Sequence, residues 1–274
     1  MAAINLSINQ LLLHSDNPRI GNAKNQRDAL QKIIDDQGTK LAELAESIVS
    51  DGLSPIERLL VIQEKRGSDR YVSLEGNRRL AALKVLSNPA VLVDLSLGAQ
   101  LQRRLEKAAG EFERASVEPI ACYAAKTEDE ATKWIYLRHT GENEGRGVVR
   151  WSGVARARFR GTDPALQALD FVKEHGGLTD AQKSTLEDSF PITTLDRLLS
   201  TKEVRKLIGV DVKDRKLRSG LAGEELIKPL RRMILDLVEK RVNVSDLKNK
   251  EAQVAYVKGF GKKDKPNLAA AGSE

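Results

Sequence analysis

Residues 71–86 read YVSLEGNRRLAALKVL, and the reading of this stretch decides the fold. The β-rich run ending at Leu74 has the composition of a strand. Gly76 stops it, and Leu80, Leu83 and Leu86 then recur at helical spacing. A strand therefore runs through a glycine turn into a helix. Working outward, Leu41, Leu44, Ala45, Ile48 and Val49 mark a helix opened by Thr39 and closed by Gly52. After Pro55, Ile56–Ile62 reads as a strand, the Gly67-Ser68 pair as a turn, and 70–74 as the returning arm of a hairpin. Residues 90–114 suit one or two charged helices. Val117–Ala124 suits a short strand with Cys122 as an inert core thiol. Thr127 with Glu130 forms a capping-box pattern, which predicts a helix from Glu128 to about Arg138. A polar, glycine-rich loop from His139-Thr140-Gly141 to Gly147 follows.

From Val148 onward the chain reads as all helix. Asp163-Pro164 caps one helix that Gly176-Gly177 ends. Thr179 caps Asp180–Asp188, Ser189-Phe190-Pro191 breaks the chain, and Thr193 or Thr194 starts a short helix. Ser200 with Glu203 suggests a second capping box, with that helix ending at Gly209. Glu224–Lys240 is amphipathic despite Pro229, and Ser245 opens a last helix to about Val257. Together these predict an α+β protein: a mixed α/β domain over 1–160, an all-α domain over 161–262 and a flexible tail over 263–274.

Composition excludes several classes. A chain of 274 residues is large enough to bury a substantial core without staples. Its single cysteine rules out an internal disulfide framework and suits a reducing compartment. No apolar run approaches the ~20 residues of a membrane span, and no basic-then-apolar leader opens the sequence. A soluble, cytoplasmic protein without a membrane partner is expected. The net charge of +6 is unevenly placed. Residues 1–125 carry 16 basic and 16 acidic side chains, whereas 197–263 carries 18 against 9. A basic rear half attracts a polyanion such as DNA, although a Lys-rich solvated helical surface has the same composition.

Two constellations could carry chemistry. Gly76-Asn77-Arg78-Arg79 stands at a strand-to-helix turn, where free amides and the helix N-terminus favour an anion and two arginine forks suit phosphate oxygens. A turn and a solvated first helical turn would use the same residue types. Glu142-Asn143-Glu144-Gly145-Arg146 offers hard oxygen donors for a cation, with Arg146 able to neutralise phosphate. An ordinary polar loop would also look this way. His139, just before it, could touch a ligand or cap its helix.

Taken in order, LAELAESIVSDGLSPI, RYVSLEGNRRLAALKVL and ENEGR resemble the N-terminal domain of ParB-type proteins, the ParB/sulfiredoxin fold. Asn17-Pro18-Arg19 is similar to that family's first segment, and Ser47-Ile48 with Gly52 to its second. Gly76, Arg78 and Arg79 match its triphosphate cradle, and Glu142, Asn143 and Arg146 its last motif. The resemblance implies that Arg19, Gly76, Asn77, Arg78, Arg79 and Arg146 bind a nucleotide triphosphate, CTP or ATP. It also implies that Glu142 and Asn143 hold Mg2+, with Glu142 as the catalytic candidate. Asn77 stands where the family usually has glutamate. It also occupies about the place of the sulfiredoxin cysteine, so reductase chemistry is not expected.

Residues 169–199 resemble the helix-turn-helix that follows in ParB proteins. The resemblance implies a recognition helix at Ile192–Leu199 that offers Thr193, Thr194 and Arg197 to a DNA groove and buries Leu195, Leu198 and Leu199. Arg231 and Arg232 belong to the basic stretch expected on phosphates. The implied function is a DNA-binding protein whose nucleotide and magnesium modulate DNA association, as a homodimer with a possible partner ATPase. The alternative is a ParB-like nuclease or NTPase with metal-assisted phosphoester hydrolysis.

Overall fold

In a computed structural model the described residues are 1–161, 163–188 and 190–270, with the side chains of 187 and 188 left aside. The chain divides into two units, Met1–Val149 and Arg150–Glu274. The helix at 153–160, placed in the first domain by the sequence reading, belongs to the second unit.

The N-terminal unit contains β1 (Ala2–Leu6), β2 (Leu11–Leu13), β3 (Asp16–Asn17), β4 (Gly21–Asn22), α1 (Gln26–Gln37) and α2 (Thr39–Asp51). It continues through β5 (Leu59–Gln63), β6 (Tyr71–Glu75), α3 (Asn77–Ser87), α4 (Ala99–Gly110), β7 (Ile120–Ala125) and α5 (Glu128–His139). Five strands form one sheet in the order β1-β7-β5-β6-β2. Its pairings alternate: β1 with β7 antiparallel, β7 with β5 parallel, β5 with β6 antiparallel, β6 with β2 parallel. Period-two alternation splits β5 between two faces. Leu59 and Val61 join the main core with helices α1–α4, while Leu60 and Ile62 pack on the side of Ala131 and Ile135 of α5.

The stretch 71–86 sits at the centre of this unit. In α3, Leu80, Ala81, Ala82, Leu83 and Val85 are completely buried. A helix apolar on almost every side can only be a core helix. Cys122 is fully buried too, and burial pushes its thiol up to about 11, so the thiolate is scarce at neutral pH. The strand expected at Ile56–Ile62 begins only at Leu59, and Ile56 is 89% exposed. The charged region 90–114 yields one α-helix, α4, flanked by short 3-10 turns at Pro89–Leu92 and Arg114–Ser116.

The C-terminal unit contains α6 (Gly153–Arg160), α7 (Pro164–His175), α8 (Asp180–Asp188), α9 (Ile192–Ser200) and α10 (Lys202–Ile208). After these come β8 (Asp211–Lys213), β9 (Lys216–Arg218), α11 (Gly223–Val238) and α12 (Lys250–Lys258). The expectation of an all-helical rear is therefore corrected by a β8–β9 hairpin. Its two-residue turn, Asp214-Arg215, has φ of 53° and 59° at its two positions. Hairpins favour that left-handed pair, but usually with Asn-Gly or Asp-Gly. The second capping box is also corrected. Ser200 ends α9 with its hydroxyl on Asp196 O, and Thr201 is the N-cap of α10, its hydroxyl donating to Gln253 Oε1 and Arg197 O rather than accepting from the helix amides. The last helix starts not at Ser245 but at Lys250, capped by Asn249, after a 3-10 turn at Val244–Leu247. Asp163 and Thr179 cap their helices as read: Asp163 Oδ1 accepts from Ala165 N and Leu166 N, and Thr179 exchanges bonds with Gln182.

The segment 263–270, read as flexible, is held against α11. Asp264 pairs with Arg232, Asn267 N–H donates to Glu225, and Ala270 O accepts from Ala222 N–H. Residues 271–274 of that tail, like Ser189 of the expected turn, lie outside the described residues. Among the described residues no helix is long and apolar enough to cross a membrane.

Candidate functional site

The N-terminal unit carries an open cleft of about 1260 Å³, lined at its centre by Gly76–Arg79, by the 14–19 segment and by the end of α5. Gly76 closes β6 and caps α3 with φ +96°, and a Cβ there would run into Leu59 Cδ2. Both the backbone conformation and the space therefore require glycine. The first turn of α3, whose amides have no intrahelical acceptor, thereby lines the cleft.

The predicted arginines divide by what already holds them. Arg79 is committed: its side chain is 13% exposed, one Nη donates to Glu57 O at 3.1 Å and the other meets the Glu57 carboxylate. It braces the loop before β5 rather than offering a free fork. Among the described residues Arg78 makes one bond, 3.3 Å from Nη1 to Gln37 Oε1. Arg19 is 55% exposed, with a loose 3.7 Å pairing to Asp36. These two are the cations with capacity for a phosphate.

Asn77 is corrected as a ligand side chain. It is 7% exposed, its Oδ1 accepts from His14 N at 2.9 Å and its Nδ2 donates to Ser73 O at 2.7 Å. The side chain ties the end of β2 to β6, so only the Asn77 main chain belongs to the cleft's anion-binding turn.

Several cleft residues were not singled out by the sequence. Glu57 bridges Arg79 and Arg138 Nη2, the latter at 2.5 Å, and Glu75 bridges Arg138 Nε at 3.4 Å and His139 Nε2 at 2.9 Å. Arg79, Glu57, Arg138, Glu75 and His139 thus form a continuous chain of alternating charge capacity along one wall. His139 is the residue the sequence offers as a ligand contact or helix cap, Arg138 beside it extends the same basic helix end, and Glu57 has no local signal at all. Burial acts to raise the Glu57 carboxyl, but the Arg138 hydrogen bond and the charges of Arg79, Arg138 and Arg78 outweigh it. The group is held below its ordinary value of 4.5. Its stabilising contribution is therefore complete above that ordinary value and is lost as pH falls through the lower folded one. Unfolding titrated in acid should lose stability in that window, and Glu57→Gln should flatten this limb. An identical limb in the variant would remove Glu57 from the acid response.

The 140–147 loop is a separate, self-closed structure. Asn143 and Glu144 have φ of 46° and 57°, Gly141 and Gly145 are also left-handed, and Gly147 N bonds back to Glu142 O at 2.8 Å. Asn143 Nδ2 donates to Thr140 Oγ1 and Gly141 O, and Arg146 pairs with Glu144 at 3.0 Å. Glu142, Asn143 and Arg146 do not line the main cleft; Asn143 and Arg146 line a smaller hollow with Lys133 and Tyr136. The loop's stem, His139-Thr140, does reach the cleft. Among the described residues no group of three or more His, Cys, Asp or Glu could hold a metal. Glu142 and Asn143 carry oxygen donors of the type magnesium takes, but neither lines the cleft of Arg19 and Arg78, so the pair does not fit an ion shared with a phosphate bound there.

In the C-terminal unit α9 places Thr193 and Arg197 together on the exposed face, with Leu195, Leu198 and Leu199 buried as expected. Thr194 is corrected: it is 1% exposed, because a helix turns it inward with Leu195 and Leu198, and it cannot read a groove. Arg231 Nε donates to Gly176 O at 2.6 Å, closing the end of α7. Arg232 is paired with Asp236 at 2.7 Å and Asp264 at 3.4 Å and stacks over Phe260, so it serves the fold before any phosphate.

No family model and no curated protein matches the chain. A solved structure similar to it is the C-terminally truncated chromosome-partitioning protein ParB from Caulobacter crescentus complexed with CTP-gamma-S. The identity is 15% and the TM-score 0.34, covering 94% of this chain and 98% of that one.

Proposed function

We propose that the N-terminal unit is a ParB/sulfiredoxin-like module whose cleft takes the triphosphate of CTP or ATP. The C-terminal unit contacts DNA, and bound nucleotide modulates that contact. The observation that carries this reading is the convergence of Arg19 and Arg78 on the amide-bearing start of α3 in one cleft. Helix N-termini and arginine forks are the two devices that bind phosphate best in water. Glu142 and Asn143 stand outside this cleft, on the separate 140–147 loop, so the triphosphate reading rests on Arg19, Arg78 and the start of α3. Thr193 and Arg197 are the residues of α9 able to meet a groove.

Calorimetry with each nucleotide and magnesium tests the cleft. Arg78→Ala should weaken triphosphate binding by about 1.5–3 kcal/mol, the scale of a charge-assisted hydrogen bond, or roughly 10–150-fold. Thermal unfolding should barely change. Arg79→Ala should instead lower stability, since its fork is spent on Glu57. No nucleotide binding by the intact protein, or equal affinity in Arg78→Ala, overturns the assignment. Phosphate release in the same samples reports on the NTPase alternative.

A further inference from the structure

The segment 150–161, RWSGVARARFRG, contains four arginines and no acidic residue. Its helix, α6, turns Val154 (1% exposed) and Ala157 (0%) into the core of the C-terminal unit. Ser152 caps it by accepting from Ala155 N at 3.1 Å. The outward side carries two large aromatic rings: Trp151 is 56% exposed and Phe159 is 77% exposed. They meet edge to face, with centroids 5.1 Å apart and planes at 65°. Arg150, Arg156, Arg158 and Arg160 are all exposed around them. Among the described residues only Arg160 of these four has an ion pair, at 3.4 Å to Asp163, whose Oδ1 is occupied in capping α7.

Two exposed rings on a segment with four exposed arginines, three of them without an ion pair among the described residues, suit a partner that offers both flat apolar faces and negative charge. We propose that the outer face of α6 is a binding surface for single-stranded DNA, with bases stacked on Trp151 and Phe159 and phosphates held by Arg150, Arg156 and Arg158. Duplex DNA hides its base faces in the stack, so it could use the arginines but not the rings. Unpaired bases use both. A membrane surface fits less well, because the apolar stripe of α6 is already spent on the core and leaves no face to insert. The proposal goes beyond the cleft-and-duplex reading and does not depend on it.

Fluorescence anisotropy of the full chain with labelled oligothymidylate of about 20 nucleotides, longer than one site, tests it beside a duplex of equal length. Trp151→Ala and Phe159→Ala should each weaken single-strand binding about tenfold and leave duplex binding within about twofold. Trp151→Phe should retain most of the affinity. In a Trp134→Phe background, oligothymidylate should quench the remaining tryptophan emission. Arg156→Gln with Arg158→Gln should reduce the salt slope by about 1–1.5, at ~0.7 per single-strand phosphate. Both rings are exposed, so unchanged circular-dichroism melts verify that the variants fold. The proposal is overturned by absent single-strand binding, by equal losses on both nucleic acids, or by ring variants that bind normally. Tighter binding to an oligouridylate or to anionic vesicles also overturns it. Thr193→Ala with Arg197→Ala supplies the independent arm: a loss confined to duplex concerns the duplex reading alone.

Discussion

Asp236→Ala should lower the unfolding free energy of the C-terminal unit by about 2–4 kcal/mol. The carboxylate lies inside α11 at 1% exposure and gathers three donors. Oδ2 accepts from Arg232 Nε at 2.7 Å and from the Tyr256 hydroxyl at 2.8 Å, and Oδ1 accepts from Arg241 Nη1 at 2.9 Å. Removing one partner of an enclosed ion pair costs about 3–5 kcal/mol, mostly because the other is left unpaired. Arg232 and Arg241 are 35% and 49% exposed and can turn to water, which moves the expectation toward and beyond the lower end of that range. Burial, together with the Asp236 hydrogen bond and charge, holds the Tyr256 hydroxyl in its protonated, donating form. Asp236→Asn keeps the volume and one acceptor and should lose roughly half as much. Urea unfolding followed by circular dichroism measures both. A change below about 0.5 kcal/mol in the alanine variant would mean that the network contributes nothing net.

The second large effect is expected at Gly76. Gly76→Ala places a β-carbon at φ +96°, costing about 1–2 kcal/mol in backbone strain. It also drives that carbon into Leu59, which is 1% exposed and has nowhere to rotate, adding about 1–3 kcal/mol of overpacking. Combining Gly76→Ala with Leu59→Ala in a double-mutant cycle separates the two parts, because only the backbone strain persists once the Leu59 side chain is shortened. A coupling near zero would show that the contact is relieved by a shift. Where Gly76→Ala remains folded, nucleotide affinity should fall with it, because the amides of α3 move with the turn.

The sequence was legible where one local rule decided the outcome. The 71–86 stretch, the cap residues Asp163 and Thr179, and the apolar face of α9 all follow from periodicity and short-range chemistry. The β8–β9 hairpin was not legible, because its turn uses Asp-Arg where the pattern expects glycine. Helix α1 went unread although Asn25 caps it and Asp28 N–H donates back to that cap. Its apolar residues Ala29, Leu30, Ile33 and Ile34 stand among polar ones and give a weak periodic signal. At the site, the motif residues carried their type but not their direction. Nothing local says that Asn77 turns inward to His14 N and Ser73 O, or that Arg79 is consumed by Glu57, which lies 22 positions earlier. Such commitments are set by tertiary pairing, as is the separation of the 140–147 loop from the cleft.

The order β1-β7-β5-β6-β2 has a consequence for biosynthesis. Both outer strands of the sheet come from the first thirteen residues, yet β1 can pair only with β7 at Ile120–Ala125. At about 5–20 residues per second, β1 leaves the ribosome roughly 6–23 s before its neighbour exists. During that interval β2, β5, β6 and α3 can assemble, since all lie within the first 87 residues. The open flank of β5 then waits for β7 to enter between it and β1. The segment carrying β1 is thus a free strand for most of the unit's synthesis, and the sheet is completed from its β2 edge toward its β1 edge, with the earliest-made strand docking last.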